Sequence, residues 1–235
     1  FGWEAIFLFT ELFGAIVLLW SVMRLPETRQ ASVAEAPGQL WQEWRALLAS
    51  RKFHGYVLCG ALGSAPFFTF LGGGPHVVVT LMGRTSAEYG LWFAFTSLGY
   101  MSGNFSVSRL SQRFGVDAMI TAGIAFELIG TGLTCALVAS QPDAGPAIIF
   151  LPQLVISYGN GLLLPNCIAG AVSVRPQAAG TASGMTGFTQ MAIGAASTQV
   201  ISMFLAGAST AMPMAWQMLA VAVAAGVAYV VLVRR

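Results

Sequence analysis

Apolar residues in this chain come in long runs rather than in alternation. Seven runs reach the ~20 residues that an α-helix needs to cross a hydrocarbon core. They cover roughly residues 3–24, 55–82, 88–107, 117–140, 146–171, 180–206 and 211–233. The sequence carries no ten-residue alternating strands, which argues against a transmembrane β-barrel. A backbone without water around it must pair its own polar groups, and a helix does so within one segment. The pattern therefore predicts an all-α, polytopic membrane protein with seven transmembrane helices.

The longest polar interruption has a pattern of its own. Residues 25–38 carry Pro26 and Pro37 and read as a linker. From Gln39 to Lys52, the residues Leu40, Trp41, Trp44, Leu47 and Leu48 recur at helical spacing, with Gln42, Glu43, Arg45 and Arg51 on the other side. This predicts an amphipathic helix over 39–52. It either lies in the membrane interface with Trp as anchor or leads into the next span, and the two are compatible. The expected organisation is a first transmembrane helix over 1–24, a loop over 25–54 containing this helix, and a six-helix bundle over 55–235.

Charge sets the orientation. Of 235 residues, 56% are hydrophobic and 9% charged, and the mean hydropathy is +0.73. Soluble domains carry about a quarter charged residues, so an ordinary soluble domain, a disordered chain and a coiled coil are excluded. The net charge of +2 is too small to suggest a nucleic-acid partner. With the start of the first run outside, the loops 24–54, 108–116 and 172–179 and the C-terminus share one side. That side holds ten of the eleven basic residues, and only Arg84 lies on the other. The basic side is expected to be cytoplasmic. No basic segment precedes the first run, so no signal peptide is expected.

Candidate chemistry is sparse. Ionisable residues inside a membrane are costly and mark functional sites by default. Glu11 and Glu127 fall in the middle of the first and fourth runs. Each reads either as a protonatable carboxyl coupled to transport or as a hydrogen-bonded acid packed between helices. His76, near the end of the second run, is a proton site or an interfacial polar residue. The second run contains Pro66, Pro75 and Gly72-Gly73-Gly74 beside Phe67, Phe68 and Phe70, which predicts a broken helix next to a site for bulky apolar ligands or, alternatively, lipid-facing rings. The fifth run carries Gln153, Tyr158, Asn160 and Asn166 with Pro165, which predicts a hinged, cavity-lining or interhelically bonded helix. In the sixth run, Gly180 and Gly184 form a G-x-x-x-G, expected to pack closely against another helix.

No phosphate-binding loop, nucleophile elbow or metal-ligand spacing occurs, and Cys59, Cys135 and Cys167 fit neither a disulfide framework nor a zinc site. An enzyme, a cofactor and a metal are therefore not expected.

Several segments, in order, resemble one family. Gly2-Trp3 with Phe7, then Leu25-Pro26-Glu27-Thr28-Arg29, is similar to the sixth helix of drug:proton antiporters of the major facilitator superfamily, Bcr/CflA type. Ser50-Arg51-Lys52-Phe53 and Gly55-Tyr56 resemble the seventh helix. Residues Ser108 to Gly115 resemble the superfamily's inter-helix motif G-x-L-x-D-R-x-G through Leu110, Arg113 and Gly115, with Ser108 and Gln112 replacing its Gly and Asp. Pro165-Asn166, Ala169-Gly170-Ala171 and Ala179-Gly180-Thr181-Ala182-Ser183 resemble the segment from the tenth to the eleventh helix.

The resemblance implies a partial major facilitator fold, helices six to twelve of twelve, with a missing N-terminal half as partner. It implies proton-coupled efflux of drugs or small amphipathic metabolites from the inner membrane by alternating access. The substrate cavity would be lined by Phe67, Phe68, Asn104, Tyr158, Asn160 and Gln190, with Arg113 and Gly115 in the gating motif. Glu127 is the proton-coupling candidate within this chain, although the family's helix arrangement makes its helix a peripheral support. Two other readings remain at this stage. A seven-helix receptor lacks a lysine for a Schiff base, because the one Lys is Lys52 in a loop. A non-transporting membrane scaffold is the other.

Overall fold

A computed structural model describes residues 4–25, 39–141 and 144–234. The Gly2-Trp3 start, the linker prolines Pro26 and Pro37, the Pro26–Arg29 part of the family signature and Arg235 lie outside the described residues. So does the side chain of Leu40.

Helix α1 (Glu4–Arg24) belongs to a unit of its own that runs to Gln39. None of its residues is buried, and Glu11 is exposed among apolar neighbours. A helix that is apolar on all sides suits a lipid or protein environment, not water.

The second unit, Leu40–Arg235, holds the rest. Its helices are α2 (Gln39–Leu48), α3 (Arg51–Pro75), α4 (Ser86–Phe114), α5 (Val116–Ser140), α6 (Ala147–Ser173), α7 (Ala179–Leu205) and α8 (Met212–Tyr229). Among the described residues there is no β-strand. The amphipathic helix ends at Leu48, short of the expected Lys52. The cause is Ser50, whose hydroxyl accepts from the Phe53 backbone N–H and starts α3 afresh. Leu47 is fully buried against Phe53, Val57 and Ala182, whereas Trp41, Trp44 and Leu48 stay exposed.

Helix α3 does not break at its glycines and prolines. It runs unbroken through Pro66 to Pro75 and continues as a π-helical segment, His76–Leu81. The glycines serve contact instead: a Cβ on Gly72 would stand 2.7 Å from the Thr198 side chain on α7. Helix α6 is likewise continuous across Pro152 and Pro165. Two glycines let it approach both neighbours: a Cβ on Gly159 would lie 2.7 Å from Gly123 O of α5, and one on Gly161 would lie 2.6 Å from Tyr100 O of α4. The expected packing at Gly180 and Gly184 is not found. Both are exposed, and a Cβ at either would meet nothing within 4 Å among the described residues.

Five helical segments are long and apolar enough to cross a membrane: Glu4–Arg24, Arg51–Leu81, Val116–Ser140, Ala147–Ser173 and Met212–Arg234. Helices α4 and α7, at 29 and 27 residues, have the length but fall short in hydropathy. They carry the Ser, Thr, Asn and Gln that made these two runs the more polar of the seven. The count of seven spans therefore rests on length for these two.

The bundle has two ends. At one, Tyr229 donates to Asp117 Oδ1 at 2.8 Å, Tyr56 reaches the same carboxylate at 3.4 Å, and Arg51 donates to Val231 O. The starts of α3 and α5 and the finish of α8 thus meet. At the other end Arg84, after α3, lies beside Gly145, before α6.

Candidate functional site

A cavity of about 340 Å³ opens between α3, α4, α6 and α7. Helices α3, α4 and α6 contribute residues spaced three and four apart, so each of them presents one face. From α3 come Ser64, Phe67 and Phe68; from α4, Phe93, Thr96, Ser97, Tyr100 and Met101; from α6, Gln153, Ile156, Ser157, Asn160 and Leu164; and from α7, Gln190. The lining contains no charged side chain. It combines aromatic and aliphatic surface with hydroxyls and amides, the composition of a site for small, largely apolar ligands.

One turn toward the Arg84 end, the same helices supply an aromatic cluster. The Phe70 ring packs 5.3 Å from Phe150 edge-on and 6.2 Å from Phe93 in a stack, and Trp92 stacks on Phe150 at 5.5 Å. Phe93 belongs to both cluster and cavity, so the cluster forms the cavity wall on that side. Three hydrogen bonds tie the surrounding helices. Thr198 of α7 donates to Phe68 O at 3.2 Å, and Gln217 of α8 donates to Thr69 Oγ1 at 3.0 Å and Ser197 O at 2.7 Å.

Behind the lining lies Glu127. It is fully buried on α5, and Asn160 Nδ2 donates to its Oε1 at 3.3 Å and to Gly63 O at 3.0 Å. Its Oε2 has no hydrogen-bond partner among the described residues. Cys59 and Cys167 are buried close by, and both are free thiols. Glu127 is therefore not on a lipid-facing support helix surface; it stands one side chain away from the cavity.

Of the six residues expected to line a substrate site, Phe67, Phe68, Asn160 and Gln190 meet in this cavity. Asn104 and Tyr158 do not. Asn104 Nδ2 bonds back to Tyr100 O on its own helix at 2.9 Å. Tyr158, one position after the lining residue Ser157, is turned by about 100° round the helix. Its hydroxyl donates to Ser106 at 3.1 Å, and its ring lies 4.9 Å from Phe126. Thr96, Ser97 and Phe93 were not among the expected lining residues, and Gln153, read from the sequence as on either a cavity-lining or an interhelically bonded helix, lines the cavity. The spacing 153, 157, 160, 164 along α6 was the available signal for Gln153.

The motif residues Arg113 and Gly115 lie at the end of α4, away from the cavity. Arg113 is exposed, with its guanidinium 5.3 Å from the Phe114 ring centre. Gly115 has φ +82° and ψ 166° and joins α4 to α5 without a loop residue beyond itself. His76 is half-buried where the π-helical segment begins. Among the described residues no group of three or more His, Cys, Asp or Glu could hold a metal ion.

The chain is similar to transporters along its whole length. It is 24% identical to a bicyclomycin resistance protein homolog of Haemophilus influenzae, over 100% of this chain and 58% of that protein. It is 25% identical to the multidrug transporter MdfA of Yersinia pestis, over 81% of this chain and 47% of that one. The MdfA of Edwardsiella piscicida is also 25% identical, over 71% of this chain and 40% of that one. The chain thus spans about half the length of the curated relatives it matches. Residues 1–198 match the family model of the Major Facilitator Superfamily. With that match over most of its length, and with its long apolar helices, the chain is a multi-pass membrane protein that belongs to the major facilitator superfamily.

Proposed function

We propose that this chain is the substrate-binding C-terminal bundle, with one preceding helix, of a proton-coupled exporter of drugs or small amphipathic metabolites in the inner membrane. The observation that carries the reading is the neutral, Phe-lined cavity with Glu127 joined to it through Asn160. The family membership and the names of the relatives support transport as the activity.

In this reading α1 and α3–α8 are helices six to twelve of a twelve-helix fold, and the basic end faces the cytoplasm, C-terminus included. A second bundle of six helices completes the cavity. Alternating access rocks one bundle against the other about the midplane site. The ligand rests against Phe67, Phe68 and Phe93, with Gln190 as a polar contact from α7. Glu127 binds and releases the proton. When Glu127 is ionised, the Asn160 amide meets the negative charge. When the acid is neutral, that bond weakens, and the amide is free to turn toward the ligand. No bond to the substrate is made or broken, so no enzymatic step enters the cycle.

The test is efflux from cells stripped of their own pumps. Expression of the native protein lowers accumulation of the neutral dye Nile red and of chloramphenicol, and a protonophore abolishes the effect. Phe67→Ala together with Gln190→Ala, at normal membrane abundance, removes it. Unchanged accumulation of both compounds, with the protein present in the membrane, would overturn the reading.

A further inference from the structure

Gln153 stands apart from every other polar residue of the cavity. It lies on α6 with 1% of its surface exposed. It lines the cavity, yet among the described residues neither its Nε2 nor its Oε1 has a hydrogen-bond partner. Its neighbours are satisfied locally: Thr96 donates to Phe93 O at 2.8 Å, Ser64 to Ala61 O at 2.9 Å, and Asn160 to Gly63 O and Glu127. A primary amide offers two N–H donors and one carbonyl acceptor side by side. Leaving both ends buried and unpaired is unfavourable, and such exceptions in a native fold call for a cause. Here the residue that carries the unpaired amide lines open volume, and its two polar atoms, themselves covered from solvent, meet a ligand once the side chain turns toward it.

We propose that Gln153 is a recognition residue for a neutral ligand that carries a carbonyl acceptor beside an N–H donor, as in a lactam or a primary carboxamide attached to an aromatic or aliphatic body. Such a group forms two parallel hydrogen bonds, ligand carbonyl to Nε2–H and ligand N–H to Oε1. An ester or lactone offers acceptors only and leaves Oε1 unmet. A carboxylate does the same and brings a charge into a lining that has no cation. A quaternary cation has no donor at all. The flanking Phe67 and Phe93 rings cover the apolar body of the ligand. The inference rests on the reading of this cavity as the substrate site and adds the substrate's chemical class to it.

The test uses a matched pair: isocarbostyril, a fused lactam, and isocoumarin, the same ring system with oxygen in place of N–H. Radiolabelled forms of each are titrated against the purified native protein in lipid nanodiscs, with empty nanodiscs subtracted. The wild type is expected to bind the lactam at least ~10-fold more tightly than the lactone. Gln153→Met keeps the volume and removes the amide. It is expected to bind both probes alike, with lactone affinity within ~2-fold of wild type, which also reports an intact fold. Gln153→Asn, which keeps the amide on a shorter stem, is expected to recover part of the preference, and it decides the matter if Gln153→Met binds neither probe. Equal binding of the two probes by the wild type overturns the proposal and leaves the cavity reading standing. So does a preference that survives in Gln153→Met, or one absent from Gln153→Asn when Gln153→Met is inactive. Binding of neither probe by the wild type overturns both.

Discussion

Asn160 Nδ2 lies 3.3 Å from Glu127 Oε1, and Asn160 is itself part of the cavity lining. One side chain therefore touches both the space where a ligand would sit and a fully buried carboxyl. Burying an isolated carboxylate in an apolar surround is costly, and a protein holds such a group by a hydrogen bond or by neutralising it. With Oε2 unpartnered, the Asn160 amide is the one hydrogen bond to this carboxyl among the described residues. Under the proposed function, ligand and proton compete for, or share, the same amide.

Glu127→Gln imitates the neutral acid in size and shape but cannot release a proton. Ligand binding is expected to stay within ~3-fold of wild type, whereas pH-gradient-driven efflux falls at least ~10-fold. Binding in nanodiscs and uptake into everted vesicles measure the two separately. Efflux at the wild-type rate would remove Glu127 from the coupling mechanism.

Asn160→Leu deletes the donor to both Glu127 and Gly63 O. Alone it is expected to destabilise the protein by about 1–3 kcal/mol, the usual cost of orphaning buried polar groups. In combination with Glu127→Gln the loss is expected to be smaller than the sum, because the two residues share the contact. Thermal unfolding in detergent of the two single variants and the double variant supplies the cycle. Strict additivity would mean that the 3.3 Å contact carries no coupling.

Much of this arrangement was legible in the sequence, and the parts that were not have a physical cause. The seven apolar runs fall on seven long helices among the described residues, but length and hydropathy together qualify only five of them as spans, because the polar residues of α4 and α7 lower their hydropathy. Phe67, Phe68, Asn160 and Gln190 were legible as lining because they are large or polar residues on runs that the family resemblance places at the cavity. Tyr158 was not separable from Ser157 by residue type. A shift of one position turns a helical side chain by about 100°, and only packing against α4 and α5 sets the rotation. The glycines misled in both directions. Gly72 looked like part of a break and is a contact, while Gly180 and Gly184 looked like a contact and are open among the described residues. A glycine in a sequence records a missing Cβ, not what lies opposite it. Glu127 looked peripheral because a helix at the edge of a bundle still has an inward face.

Helix contact through missing Cβ atoms makes a paired prediction. A Cβ on Gly103 would strike Tyr158 O and stand 3.0 Å from the Gly161 Cα, so backbone opposes it and no side chain can move aside. On the same reckoning Gly132 has nothing within 4 Å. Gly103→Ala is expected to lower stability by about 1–3 kcal/mol through overpacking. Gly132→Ala is expected to be neutral or to stabilise by up to about 1 kcal/mol, since alanine restricts the helix backbone without meeting a neighbour. Unfolding midpoints of the two variants, measured side by side in one detergent, give the comparison. Equal effects would mean that the α4–α6 contact is looser than its geometry.

Gly115 offers the last test, because its backbone and its place in the motif can be separated. At φ +82° and ψ 166° it occupies a region essentially closed to residues with a side chain. Its N–H still bonds to Ser111 O at 2.9 Å, so it both ends α4 and turns the chain directly into α5. No atom lies within 4 Å of an added Cβ, and strain rather than collision therefore sets the cost. Gly115→Ala is expected to destabilise by about 1–3 kcal/mol. Arg113, exposed two residues earlier, is free of that constraint. If the motif serves gating, Arg113→Ala should leave the unfolding midpoint unchanged and slow efflux, whereas Gly115→Ala should lower both. A Gly115→Ala protein as stable as wild type would mean that the α4–α5 turn relaxes to another conformation, and a loss of stability in Arg113→Ala would make the arginine a structural residue.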